Sequence, residues 1–137
     1  MPTAGYSGTP LVKKLGIKSG STLCIKHEPK EYWDWISPLP DDVNVVTRPK
    51  KEGTDFIHLF VTRKKDFEKE FIKLKSQLKK DGMLWVSWPK KSSQVASDLD
   101  ENIIRNYGLA KGLVDVKVCA VDETWSGLKF MYRIKDR

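Results

Sequence analysis

Residues 55–88 constrain the fold more than any other stretch of this chain. Asp55-Phe56-Ile57-His58-Leu59-Phe60-Val61-Thr62 is apolar on both faces apart from His58. A strand with one wet face alternates apolar and polar side chains, whereas a strand covered on both faces does not. The run therefore predicts a parallel strand sandwiched between two layers. Phe67, Phe71, Leu74 and Leu78 follow at steps of four, three and four, which is one face of a helix over 66–80. Asp66, Glu68 and Glu70 occupy its first half and Lys73, Lys75, Lys79 and Lys80 its second, an order that suits the helix dipole. Gly82 is placed to end that helix in a left-handed conformation. Met83-Leu84-Trp85-Val86-Ser87-Trp88 is then a second buried strand, halted by Pro89. Strand, helix, strand in this order points to parallel pairing.

The remaining segments extend this pattern. Thr22-Leu23-Cys24-Ile25-Lys26 reads as a short buried strand, 31–36 as a short helix or turn, and 43–47 as another strand. Arg48 to Gly53 forms a basic loop containing proline and glycine. A second helix is expected over 97–111, with Ser97 and Asp100 at capping-box spacing and Gly112 as its stop. Strands over 114–121 and 128–134, joined by a loop, make an antiparallel pair. Together these give one α/β domain spanning 1–137, with residues 1–10 as an irregular arm. The predicted architecture is a three-layer, mostly parallel, Rossmann-like sheet of about six strands with a C-terminal antiparallel pair. Right-handed crossovers place the strand ends after Lys26, Thr62, Trp88 and Val121 along one edge, where such sheets bind ligands.

Composition narrows the options. The 137 residues carry 25 Lys plus Arg against 18 Asp plus Glu, a net charge of +7. That balance suits anionic ligands, acidic proteins or nucleic acid, and also serves plain solubility. Cys24 and Cys119 sit in apolar runs with no Cys-x-x-Cys spacing, which predicts two buried free thiols and a reducing compartment. With His27 and His58 they form no zinc-ligand pattern, so no metal is expected. The start of the chain lacks a basic segment followed by an apolar run, and every apolar run is short. No membrane span is expected, and the cytoplasm is the expected location.

Three segments carry a family resemblance: Gly5-Tyr6-Ser7-Gly8-Thr9-Pro10-Leu11, Trp85-Val86-Ser87-Trp88-Pro89-Lys90-Lys91, and Val114-Asp115-Val116-Lys117-Val118-Cys119-Ala120-Val121-Asp122-Glu123-Thr124-Trp125-Ser126-Gly127. Together they resemble a family of short bacterial proteins classed only as a domain of unknown function. The resemblance implies a bacterial, cytoplasmic origin and no particular activity. More loosely, the turn Leu78-Lys79-Lys80-Asp81-Gly82 before a strand, the glycine turn before the first strand and the final hairpin are similar to the class I methyltransferase fold. That likeness implies S-adenosylmethionine, held by a glycine-rich loop after the first strand and an acid after the second. Here those positions read His27-Glu28-Pro29-Lys30-Glu31 and Thr47-Arg48, and one strand–helix unit is missing between Thr47 and Asp55. No cofactor is therefore expected.

The candidate site residues lie on the presumptive binding edge. Lys90 and Lys91, followed by Ser92, could hold a phosphate or carboxylate, or else form weak surface ion pairs. No Gly-x-x-x-x-Gly-Lys-Ser/Thr loop is present. Asp122 and Glu123 could do acid/base work beside Trp88 and Trp125, or simply build a loop. His27 stands at a strand end, a place for a catalytic imidazole, while His58 reads as a hydrogen-bonded core residue. Asn102 and Arg105 share one helix face and either line the cleft or face solvent. The leading expectation is a non-catalytic binding or regulatory domain for an anionic small molecule or acidic partner. The alternatives are an enzyme using His27, Asp122 or Glu123, and a nucleic-acid binder using the lysine-rich helix and exposed tryptophans.

Overall fold

The computed structural model describes residues 9–137. The first residues of the opening motif, 5–8, and most of the expected arm lie outside the described residues. The elements are α1 (Leu11–Leu15), β1 (Thr22–Lys26), α2 (Tyr32–Trp35), β2 (Asn44–Val45), β3 (Thr54–Phe60), α3 (Lys64–Gln77), β4 (Leu78–Pro89), α4 (Glu101–Ala110), β5 (Leu113–Ala120) and β6 (Trp125–Tyr132). They build one six-stranded sheet in the order β2-β1-β3-β4-β6-β5. β2, β1, β3 and β4 are mutually parallel, and β6 runs antiparallel to both β4 and β5. No helix or strand intervenes between Val45 and Thr54.

Two apolar cores cover the two faces, as the doubly apolar β3 requires. On one face α3 and α4 contribute Phe67, Phe71, Leu74 and Ile104 against Ile57, Leu59, Leu84, Val86 and Phe130. On the other, α1 and α2 bring Val12, Leu15, Tyr32 and Ile36 against Leu23, Phe56, Phe60 and Trp85. Most of these side chains are fully buried, and each such large side chain contributes roughly 1.5–3 kcal/mol of transfer free energy. The indole N–H of Trp85 donates to the Leu15 carbonyl at 2.8 Å, so the short α1 is held to the centre of the sheet by a buried polar link. Among the described residues no helix is long and apolar enough to cross a membrane.

Several boundaries differ from the sequence reading, each for a tertiary reason. The helix expected over 66–80 runs Lys64–Gln77, because Leu78 turns extended and pairs with Thr54. Gly82 has no positive φ and does not cap that helix. It lacks a side chain because a Cβ there would lie 2.9 Å from the Asp55 carbonyl and 2.9 Å from Leu78 Cδ1. The last turn of α3 is closed instead by the loop before β3. Glu52 N–H donates to the Ser76 carbonyl and Gly53 N–H to that of Gln77.

The second helix begins at Glu101 rather than 97. Asp100 is its N-cap, accepting from Ile103 N–H at 2.8 Å. Ser97 instead donates its hydroxyl to the Thr62 carbonyl at 2.7 Å, and Asp98 accepts from Lys64 N–H at 2.6 Å. Both thus fasten the loop before α4 to the start of α3. Gly112 does end α4 at φ 96°. The strand expected over 43–47 shrinks to Asn44–Val45 on the sheet edge. The final strand starts at Trp125, so this tryptophan belongs to β6 and not to the loop. Both cysteines are free thiols; Cys24 is buried and Cys119 half-buried. Burial raises the pKa of each.

Candidate functional site

The carboxyl ends of β1, β3, β4 and β5 share one edge of the sheet, and the amino end of β6 meets them there. A cleft of about 400 Å³ opens at this edge. Its walls are His27 after β1, Phe60, Val61 and Thr62 at the end of β3, Asp66, Lys69 and Glu70 on the first turns of α3, and Trp125 at the start of β6. Trp125 meets Phe60 edge to face, with centroids 5.1 Å apart and planes at 88°. One wall is therefore aromatic and the opposite one ionic.

The loop after β1 sets the shape of the cleft. His27 adopts φ 60°, a left-handed conformation that non-glycine residues rarely hold. Its ring reaches towards α3, with Nε2 3.9 Å from a Glu70 carboxylate oxygen. Glu28 accepts a hydrogen bond from the Trp33 indole at 3.2 Å, which ties the loop to α2. The cleft thus holds an imidazole, an ammonium and two carboxylates beside an aromatic surface. This set can read charge of either sign and can stack a planar group.

Of the residues singled out from the sequence, His27 and Trp125 meet in this cleft. Trp88 does not line it. It is buried on the α3/α4 face, while Trp125 packs on the opposite face, although the two are near neighbours across β4 and β6. Lys90 donates to the Asp122 main-chain carbonyl at 2.8 Å. The Asp122 carboxylate accepts from the N–H groups of Thr124 and Trp125 at 2.9 and 2.7 Å, so it shapes the turn into β6. Glu123, Lys91, Ser92 and Asn102 are exposed and do not line the cleft. Arg105 binds the carboxylates of Glu101 and Asp115, the latter at 2.9 Å, and the Asn102 amide oxygen at 3.2 Å. The two carboxylates raise its pKa, Glu101 most of all, and the bond to Asp115 fastens α4 to β5.

The residues not singled out are Phe60, Val61, Thr62, Asp66, Lys69 and Glu70. A signal for them was present: in a β-α-β unit, the end of the first strand and the first turns of the following helix flank the binding edge.

A second chemical constellation is closed to ligands. His58 Nδ1 lies 2.9 Å from the Tyr32 hydroxyl, and Nε2 lies 2.7 Å from Ser87 Oγ. A histidine within hydrogen-bond reach of a serine suggests a nucleophile and its base. All three side chains are fully buried, and the imidazole stacks on Phe60 with centroids 4.3 Å apart. Desolvation lowers the His58 pKa to about 3, so the ring is neutral and donates to one neighbour while accepting from the other. It is the core histidine that the sequence suggested. Among the described residues no cluster of three or more His, Cys, Asp or Glu side chains is placed to hold a metal ion.

This order of strands, with helices on both faces and a reversed strand next to the last, is the class I methyltransferase fold. Solved structures agree. A SAM-dependent methyltransferase from Aquifex aeolicus superposes with a TM-score of 0.59 at 15% identity, covering 90% of this chain and 88% of that one. The 1,6-didemethyltoxoflavin-N1-methyltransferase of Burkholderia thailandensis gives 0.57 at 9% identity, covering 88% and 76%. Magnesium protoporphyrin IX methyltransferase from Synechocystis gives 0.57 at 10% identity, covering 90% and 74%. At these identities the likeness is one of fold. No protein-family model and no curated protein matches the chain in sequence.

The residues present do not fit S-adenosylmethionine. The loop after β1, His27-Glu28-Pro29-Lys30-Glu31, contains no glycine to let backbone approach a nucleotide, and Glu28 is already bonded to Trp33. Beyond β2 stands Arg48, a cation, beside Lys26 and Lys73. No acid lines the recess they share to take ribose hydroxyls.

Proposed function

We propose that this protein is a small-molecule binding domain on a methyltransferase-type sheet, without methyl transfer. The cleft between His27, α3 and Trp125 receives the ligand. Its planar or apolar part lies against Trp125, and its anionic group is read by Lys69 and His27. The observation that carries this reading is the glycine-free loop after β1: a left-handed His27 and a tethered Glu28 reshape the edge while the aromatic and ionic walls stay open. The protein then serves as a sensor or carrier whose occupancy is read by a partner.

Methyl transfer is the competing reading, favoured by the solved structures that share the fold. One pair of measurements separates the two. Native mass spectrometry of freshly purified protein is expected to show a retained small molecule that the double variant Lys69→Gln, Trp125→Leu loses. Calorimetric titration with S-adenosylhomocysteine is expected to show no binding tighter than about 1 mM. Bare protein together with micromolar binding of S-adenosylhomocysteine would overturn the proposal in favour of a methyltransferase.

A further inference from the structure

A second recess of about 400 Å³ lies on the other side of β1, lined by Lys26, Thr47, Arg48, Pro49, Lys73 and Gln77. We propose that it is a seat for the phosphate group of a small phosphorylated molecule. The inference is independent of the Trp125 cleft and uses none of the residues that line it.

Charge is the first ground. Three cations line the recess and no acid does. Lys26 is anchored by donating to the Thr47 carbonyl at 3.2 Å. Neither Arg48 nor Lys73 has a side-chain hydrogen bond or an ion pair among the described residues. Lys79, paired with Asp55 at 3.1 Å, and Arg105, paired with two carboxylates, show the matched arrangement that this recess lacks. Like charges gathered in a concavity repel one another, and a dianion relieves that repulsion while gaining charge-assisted bonds from all three.

Unmet hydrogen bonding is the second ground. The side-chain Oε1 of Gln77 is buried with no partner. Amide oxygen and nitrogen are interchangeable by a simple flip, so this end of the side chain can equally present N–H donors. A buried amide without a partner costs free energy until a ligand supplies one. The adjoining recess of about 240 Å³ shares Arg48 and Pro49 and adds Lys50 and Thr54. There the hydroxyl of fully buried Thr54 is likewise unpartnered. Two orphaned polar groups thus flank one basic loop.

The walls are fixed. Gly53 N–H donates to the carbonyls of Gln77 and Lys50, and Glu52 N–H to that of Ser76. These bonds hold the loop 48–53 on the end of α3. They also occupy helix carbonyls whose partial negative charge would otherwise oppose an anion. An arginine with a planar fork, two lysines and an amide are the donors that phosphate recognition uses.

The test is a titration of the ¹⁵N-labelled full chain with inorganic pyrophosphate at low ionic strength. Saturable shifts are expected at Thr47, Arg48, Lys73 and Gln77. Arg48→Gln and Lys73→Gln should each weaken the interaction by about tenfold, the loss of one charge-assisted contact. Gln77→Leu should weaken it less, and Arg48→Lys should retain part of it. Lys135→Gln, an exposed lysine outside the recess, should leave it unchanged. Amide spectra of the free variants report whether each one folds. Shifts that never saturate, or that fall equally with Lys135→Gln, would overturn the seat. Tighter saturation of the same residues by a DNA duplex than by pyrophosphate would also overturn it, reassigning the recess to nucleic acid.

Discussion

At the scale of single residues, His58 shows how burial decides chemistry. Its ring is held between Tyr32 and Ser87 in a space without water, and its pKa falls to about 3. In the unfolded chain the ring protonates near pH 6.5. The unfolded state therefore binds one more proton than the native state between those two values. His58 thus supports folding fully above about pH 6.5, and that support declines by about 1.4 kcal/mol for each pH unit below it, until the ring protonates in the fold near pH 3. The ring signals of His58 in proton NMR should stay unmoved from pH 8 to pH 5. A titration midpoint near 6.5 would show that the ring is not sealed. The sequence signalled this residue well, because a lone histidine inside an apolar strand has only the core to face. Gly82 was misleading for an equally local reason. A glycine after an amphipathic helix suggests a left-handed cap, but here it permits a close approach of backbone from β3, which only the folded sheet defines.

At the scale of elements, α4 packs against the sheet through an absent side chain. A Cβ on Gly108 would stand 2.1 Å from the Phe130 ring, a distance no side-chain adjustment of a few tenths of an ångström can relieve. Gly108→Ala raises intrinsic helix propensity by about 1 kcal/mol, yet it should destabilise the protein by roughly 1–3 kcal/mol through overpacking. Urea unfolding measures the sign directly: a higher midpoint would mean that α4 does not lie so close. Periodicity in the sequence located α3, α4 and the main strands, because a buried face must repeat at the pitch of its element. Their ends were less legible. α3 is fastened at its start by Asp98 and Ser97 from a distant loop, and at its end by Glu52 and Gly53. Such caps come from elsewhere in the chain and leave no mark beside the helix they close.

At the scale of the whole molecule, the order of elements was enough to read the class of fold and the sheet edge at which the cleft opens. It was not enough to say which side chains meet there. His27 and Trp125 converge, but Trp88 and Trp125 part to opposite faces, a distinction set by the register of β4 on β6. The two cores share β1, β3, β4 and β6, whose alternate residues feed one or the other. Loosening either face should therefore unfold both. Urea transitions followed by tryptophan fluorescence and by far-ultraviolet circular dichroism are expected to coincide, and separated midpoints would reveal two independently melting layers.

The pairing of β1 also bears on how the chain is made. Leu23, Cys24, Ile25 and Lys26 lie beside Phe56, Ile57, His58 and Leu59, whereas β1 meets β2 over only two residues. As the polypeptide leaves the ribosome, its first strand emerges more than thirty residues ahead of the neighbour that completes it. At typical rates of about 5–20 residues per second, the apolar segment around Leu23 waits roughly two to seven seconds without its main partner.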